Sequence, residues 1–249
     1  MDNKKIKRIN KISAVQKGLE SLREYIKTTD NLLLPSEDYL SQSLGVSRLT
    51  VREAVTVLER EGIVSRIQGK GTLINSFIKK LENRIDLGSD IEGCLRENGL
   101  EVEFKVVSIE SRLATTSEIL KLELEEGDSI LEIKKILLGN NEAEAIYIDR
   151  IPEKHLKSTN FTIEDFKPSI FPVVESLCEC TITHDVVHIY PYSADKEISE
   201  IFNIPEKTPI QSYEVLEYTS DGLPIMYITE YYSGKFIRFT LCRNVNYKA

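Results

Sequence analysis

Two arginines, Arg48 and Arg52, stand four residues apart at the start of a segment with helical periodicity. Ser47 is suited to cap the first free backbone amides of that helix, and apolar residues follow at positions 51, 54, 55 and 58. Because those apolar residues share one helical face, both arginines and Thr50 belong to the opposite, outward face. A guanidinium fork can donate paired hydrogen bonds to a guanine edge or to a phosphate. The spacing therefore predicts a surface that binds such acceptors.

Other local elements must position this surface. Apolar residues at positions 15, 19, 22 and 26 predict a first helix from Ser13 to about Lys27. Ser36 is a cap candidate for a short second helix, which ends at Gly45. After the arginine-bearing helix, residues 63–66 and 72–74 have strand composition and predict a β-hairpin. Its tip, Gln68-Gly69-Lys70-Gly71, combines two glycines with a cation, so its backbone can approach a phosphate or a minor groove.

The charge is divided between the two parts of the chain. The formal net charge is −8, but residues 1–80 carry 15 Lys and Arg against 9 Asp and Glu, and residues 81–249 carry 17 against 31. A basic head on an acidic body suits a protein whose one end attracts phosphates. No apolar stretch reaches the length of about 18 residues that a membrane span needs, and no export signal is recognised. We expect a cytoplasmic protein with no membrane partner and no cofactor.

The C-terminal part contains an internal repeat. The pattern of Glu118-Ile119 and Tyr147-Ile148 recurs as Glu197-Ile198 and Tyr227-Ile228, at an offset of 79 to 80 residues. Each copy is predicted as helix, turn, strand, turn, strand, with hairpin turns at residues 139–141 and 220–222. Two such copies favour an α+β domain with one mostly antiparallel sheet.

The N-terminal motifs resemble the DNA-binding domain of GntR-family regulators, a winged helix-turn-helix. The resemblance covers residues 13–75 and is carried by residues 34–37, 45–54, 58–62 and 68–72. It implies that the third helix reads DNA and that the hairpin is the wing. Where the family commonly has arginine, this chain has Asp38, which implies a lost DNA contact. The residues expected at the DNA interface are Ser36, Ser47, Arg48, Thr50, Arg52, Gly69, Lys70 and Gly71.

The body resembles the UTRA effector-binding domain of the HutC subfamily of GntR regulators, whose fold is like that of chorismate lyase. The resemblance is carried by the duplicated plan, by Ser169-Ile170-Phe171, and by Asp221-Gly222-Leu223-Pro224 followed by Tyr231-Tyr232. We expect the winged helix-turn-helix at 1–75, a linker at 76–84 and the UTRA-like domain at 85–246. The effector pocket that the resemblance implies consists of Ser89, Lys135, Tyr147, Ser169, Phe171, Met226 and Tyr232.

The nature of the effector is predicted from departures within that pocket. Family members that sense phosphorylated sugars often pair two basic residues on one strand and place a carboxylate on a later strand. Here the second basic position is Leu137 and the carboxylate position is Met226. Because a sugar needs buried polar partners, we expect a less polar effector. Its single anionic group would be held by Lys135, Ser169 and the start of a helix at Ser89.

Several alternatives compete with this interpretation. Cys178 and Cys180, with His184 and His188, are zinc-ligand types, but a single residue between the cysteines is poor spacing for a structural site. A lyase-like enzyme and a DNA-binding protein without a ligand are the rival functions, and a fold alone confers no chemistry. We expect a homodimeric transcription regulator, a repressor, that binds a near-palindromic double-stranded operator.

Overall fold

The structure is a computed structural model that describes residues 14–81, 83–88, 91–167, 169–235 and 237–243. The chain divides into two compact units. The first contains residues 14–88 together with the returning segment 239–243, and the second contains residues 91–238. By its contacts, the segment expected to be a linker, 76–84, belongs to the first unit, where it forms a 3₁₀ helix at Ser76–Lys80.

The first unit consists of three helices followed by a two-stranded antiparallel hairpin. Its elements are α1 (Ala14–Thr28), α2 (Glu37–Leu44), α3 (Arg48–Arg60), β1 (Val64–Ile67) and β2 (Gly71–Ile74). Both predicted caps are present, because Ser36 Oγ accepts the Tyr39 N–H at 3.2 Å and Ser47 Oγ accepts the Thr50 N–H at 3.0 Å. The helix-turn-helix and wing predicted from the sequence are therefore confirmed.

The apolar stripes of the three helices meet in one core, which fixes the orientation of α3. Helix α3 contributes Val51, Ala54, Val55 and Leu58, each no more than 2% exposed. The remaining buried members come from α1, α2, the hairpin and the residues that precede α2 and β1: Leu22, Ile26, Leu34, Leu40, Ile63, Val64 and Ile74. Since the buried stripe of α3 is fully used in this core, the opposite face of the helix is left for solvent or a partner.

The second unit is an α+β domain built on one six-stranded sheet. Its helices are α4 (Ile91–Glu97), α5 (Thr116–Leu122), α6 (Phe171–Cys178) and α7 (Lys196–Phe202). Its strands are β3 (Val102–Leu113), β4 (Ser129–Gly139), β5 (Glu142–Pro152), β6 (Ile182–Ser193), β7 (Pro209–Thr219) and β8 (Pro224–Tyr232). The strand order is β3-β4-β5-β8-β7-β6, and every neighbouring pair is antiparallel.

The sheet is built from two copies of the predicted repeat. Strands β3 and β6 begin at 102 and 182, helices α5 and α7 at 116 and 196, and strands β4 and β7 at 129 and 209, each an offset of 80 residues. Each half is thus strand, helix, strand, strand, one strand more than the sequence pattern predicted. The halves join where β5 pairs with β8, for example Asp149 opposite Ile228. Asn140 and Asn141 adopt positive φ in the first hairpin turn, as a tight turn between twisted strands requires.

A buried charge network attaches α5 to one sheet face. Glu118 of α5 accepts two hydrogen bonds from Arg112 of β3, at 2.9 and 2.7 Å, and lies 2.9 Å from Arg150 of β5. It also accepts the Thr115 N–H, which completes a capping box at the start of α5. Burial raises the pKa of Glu118, but the bonds from Arg112 and Thr115 outweigh burial and lower the pKa to about 2. The carboxylate therefore stays ionised inside the domain.

Within the part of the chain that the structure describes, no helix is long and apolar enough to cross a membrane.

Candidate nucleic-acid interface and effector site

The outward face of α3 presents the predicted reading residues. Arg48 and Arg52 are exposed and Thr50 is half-buried, while Val51 beside them is in the core. Thr50 Oγ1 lies 2.8 Å from Ser47 Oγ, so the capping serine also positions this hydroxyl. The structure therefore brings the helix residues of the predicted DNA interface together at one helix start, the position at which recognition helices contact base edges.

Two carboxylates at the start of α2 form ion pairs with Arg48 and Arg52. Arg52 donates to Glu37 through Nε, at 3.2 and 3.3 Å from the two carboxylate oxygens, and through Nη2 at 2.7 Å. Arg48 Nε lies 2.5 Å from Asp38 Oδ1. The hydrogen bonds from Arg52 lower the pKa of Glu37 below its usual value, so this pair is charged near neutrality. Any acceptor that engages the arginines must therefore displace or share these carboxylates.

The wing tip is open and is tied to the reading helix. Gly69 and Gly71 adopt φ of 79° and 94°, a backbone region that favours glycine, and Lys70 between them is exposed. A side chain added at Gly69 would meet nothing within 4 Å, so the tip has room for a close neighbour. Arg66 of β1 donates to the Arg52 carbonyl at 3.1 Å. This hydrogen bond holds the hairpin beside α3, the helix that carries Arg48 and Arg52.

In the second unit, one sheet face gathers part of the predicted effector site. Lys135, Tyr147, Glu230 and Tyr213 lie opposite one another in register across β4, β5, β8 and β7. Tyr232 joins them, with its ring centroid 6.2 Å from that of Tyr147 and 5.2 Å from that of Tyr213. We call this surface the Lys135 face. Three of the predicted effector residues, Lys135, Tyr147 and Tyr232, are thus brought together.

The other predicted effector residues are distributed differently. Met226 lies on the Lys135 face but is fully buried, so none of its side chain is exposed. Ser169 is exposed, and Phe171, the first residue of α6, is 41% exposed. Among the described residues, neither forms a hydrogen bond or ring contact with Lys135 or the two tyrosines. Ser89 lies outside the described residues, and so does the helix start that it was expected to form.

Lys135 already has a carboxylate partner, Asp149, which was not predicted from the sequence. Its Nζ lies 3.1 Å from Asp149 Oδ2, and the two residues are 3% and 1% exposed. The same ammonium lies 5.3 Å from the ring centroid of Phe104 and 6.0 Å from that of Tyr147. Burial raises the pKa of Asp149, and the nearby Lys135 opposes that effect. The prediction of an anionic effector group depended on a free Lys135 ammonium, and Lys135 is instead paired with Asp149.

Two further carboxylates lie on the Lys135 face. Glu230 accepts a hydrogen bond from the Tyr232 hydroxyl at 2.5 Å, and Glu217, 2% exposed, lies in register between Met226 and Asp185. Burial raises the pKa of Glu230 to about 7 and that of Glu217 to about 8, and neighbouring carboxylates add to both shifts. The alternation of β7 and β8 was the signal available in the sequence, because it places both glutamates on the face of Tyr213 and Tyr232.

Comparison with known proteins assigns the family. The family model for bacterial regulatory proteins of the gntR family matches residues 20–74, and the family model for the UTRA domain matches residues 97–238. The chain belongs to the GntR family, in the group with a UTRA domain. The predicted membership, HutC-type architecture and α+β fold class are therefore confirmed.

Relatives of this GntR regulator align along most of its length. The HTH-type transcriptional repressor NagR of Bacillus subtilis (strain 168) is 24% identical over 219 residues, which cover 87% of this chain and 88% of NagR. The mannosyl-D-glycerate transport/metabolism system repressor MngR of Escherichia coli (strain K12) is 24% identical over 221 residues, covering 84% and 85%. The solved structure of the possible transcriptional regulator YydK from Bacillus subtilis covers 94% of this chain and 100% of YydK, with a TM-score of 0.76 at 18% identity. At that identity, the structural likeness shows the fold.

Family membership answers the enzyme alternative, since these proteins are transcription regulators and not enzymes. The zinc alternative can be examined in the coordinates. Cys178 is buried and Cys180 half-buried, and burial raises the pKa of the Cys178 thiol to about 12, which disfavours the thiolate that zinc requires. Among residues in the described ranges, no group of three or more His, Cys, Asp or Glu side chains is arranged to hold a metal ion.

Proposed function

We propose that this GntR regulator is a homodimeric repressor whose two N-terminal units each bind one half of a near-palindromic operator. In this proposal Arg48, Thr50 and Arg52 contact the major groove, with Ser36 and Ser47 near the phosphates. Gly69, Lys70 and Gly71 of the wing contact the backbone or the minor groove. A small molecule bound on the Lys135 face lowers the affinity for the operator.

The observation that carries the proposal is the geometry of α3. Val51, Ala54, Val55 and Leu58 use one side of the helix entirely for the core, and the other side displays two arginines at the helix start. Arginine forms bidentate hydrogen bonds with guanine in the major groove, and helix starts also attract phosphate. The basic charge of residues 1–80 supports the same surface, because phosphate neutralisation supplies much of the affinity for DNA.

The effector part of the proposal is supported by the UTRA match over residues 97–238 and by the polar groups on the Lys135 face. A few polar groups among aromatic rings are the usual lining of a small-molecule site. For a dimer, an effector needs only to change the separation of the two N-terminal units. When the separation no longer matches one helical turn of DNA between half-sites, one unit must release and the affinity falls.

The proposal is tested by selecting sites from random duplexes with the full-length protein at fixed salt. We expect an inverted repeat with half-sites about 10 bp apart, bound by two copies of the chain. A single asymmetric site would contradict the dimeric mode of reading. Binding to all duplexes with equal affinity would instead favour the ligand-independent DNA-binding alternative.

A further inference from the structure

The Lys135 face contains more carboxylates than its single buried ammonium can balance. Lys135 is paired with Asp149, and Glu217, Glu230 and Asp185 remain on the same face. Asp185 lies directly opposite Glu217 on the neighbouring strand, where like charges destabilise a sheet, so Glu217 either repels Asp185 or gives up its charge. The arrangement therefore costs stability in the free protein, which calls for a role beyond folding.

Glu217 is the member of this set without a partner. Its residue is 2% exposed, and among the described residues its carboxylate makes no hydrogen bond and no ion pair. Glu230 has one bond, from Tyr232, which leaves its other oxygen available. A buried carboxyl group without a partner destabilises the folded protein, so a ligand that supplies the partner gains binding energy here.

The aromatic rings on this face complete the environment that organic cations prefer. Tyr232 contacts both Tyr147 and Tyr213 edge to face, and Phe104 extends the series at 5.9 Å from Tyr147. Ring faces attract an ammonium group, and Lys135 already uses two of these rings in that way. Carboxylates together with electron-rich rings recognise amines, whereas they repel phosphates and carboxylic acids.

From this arrangement we infer that the effector carries an organic ammonium group, which binds to Glu230 beside the tyrosines or to Glu217, four residues farther along the register of β7 and β8 on the same face. The inference rests on the proposed effector site and adds the chemical class of its ligand. The fields of Asp185, Asp149 and Glu230 act on Glu217, and those of Asp149, Asp185 and Lys135 act on Glu230. Because their pKa values lie near 8 and 7, the carboxyl group that binds the ammonium releases its proton to solvent.

The test measures thermal stabilisation of the full-length protein by matched compounds at millimolar concentration. Phenethylamine, putrescine and glucosamine represent amines, and phenylacetate, succinate and glucose 6-phosphate represent anions. We expect stabilisation by at least one amine, which Glu217→Gln or Glu230→Gln weakens about tenfold or more in affinity. The matched control, Glu110→Gln on the exposed part of β3, should leave the affinity unchanged. Calorimetry in buffers of different ionisation enthalpy should show proton release at pH 7 that disappears near pH 9.

Three outcomes would overturn the inference: stabilisation by the anions alone, no stabilisation by any amine, or amine binding that both glutamine variants retain. Failure of the proposed function is separate and is measured on DNA. If an anion releases the operator in a Lys135-dependent manner, the effector site stands and the ammonium class is wrong. If selected operators are not found at all, the proposed function fails whatever the amines do.

Discussion

Removing the carboxylate of Asp38 should increase the affinity for the operator. Arg48 and Asp38 are 68% and 54% exposed, so their ion pair is a surface pair that contributes about 0.2–1 kcal/mol. In Asp38→Asn that contribution no longer competes with DNA. With two N-terminal units in the proposed dimer, the gain is about 0.4–2 kcal/mol, or roughly 2- to 30-fold in Kd. The change also removes a negative charge that repels phosphate, which acts in the same direction.

The assay is fluorescence anisotropy with a selected operator across a salt series, together with thermal unfolding to verify the fold. Asp30→Asn is the matched control, because Asp30 is an exposed acidic residue of the same unit with the same charge change. The advantage of Asp38→Asn over the control should shrink as salt screens the pair. Equal affinities for the two variants would refute the competition. Weaker binding by Asp38→Asn would show instead that the carboxylate orients Arg48 for reading.

The remaining predictions concern the wing, the core and the charge network. Lys70→Ala should weaken binding to operator and random duplexes alike, and should reduce the slope of log affinity against log salt by about one for each N-terminal unit. Lost discrimination between operator and random duplexes at an unchanged slope would contradict a phosphate contact. Leu58→Ala, at a position with no exposed surface, should destabilise the N-terminal unit by about 2–5 kcal/mol in urea unfolding, and a loss below that range would argue against the packed core. Glu118→Gln should destabilise the second unit at pH 6, and the deficit from wild type should vanish as pH falls from about 4.5 to about 2, because the folded pKa is depressed. A deficit that does not change with pH would exclude the ionised network.

Local features of the first unit could be predicted because short-range chemistry determines them. Ser36 and Ser47 cap their helices within three residues, and the glycines of the wing tip adopt the positive φ that their type suggests. The ion pairs of Glu37 and Asp38 with the arginines depend on how α2 packs against α3. Residues 10 and 15 positions apart meet there, and no helical spacing announces such a contact.

In the second unit, the repeat was predictable, but the edge strand that opens each half was not recognised as part of it. Every residue of β6 is exposed or half-buried, and Val186, Ile189 and Tyr190 are among the exposed ones. An edge strand with such weak burial has a weak hydrophobic alternation. The two inner strands of each half are largely buried, so their branched and aromatic residues carried the pattern.

The composition of the Lys135 face could not be predicted because it depends on register. A β-bulge between Leu137 and Leu138 shifts the pairing of β4 with β5 by one residue. It places Lys135 opposite Tyr147, so Lys135 and Asp149 point to the same face. Without the bulge, Lys135 would lie opposite Ile146, and Lys135 and Asp149 would be on different faces. A prediction of an anionic effector could not take that buried partner into account.

In the proposed function the outward start of α3 reads the operator, and Arg52→Ala removes one of the two arginines displayed there. The matched control is Arg60→Ala, the same charge change at the exposed far end of the same helix. With a selected operator at fixed salt, we predict that Arg52→Ala costs about 1–3 kcal/mol per lost base contact, doubled in the dimer, and relaxes the base preference at one position in each half-site. Arg60→Ala should retain both affinity and preference. Folded Arg52→Ala protein that binds the operator as tightly and selectively as wild type would contradict the claim.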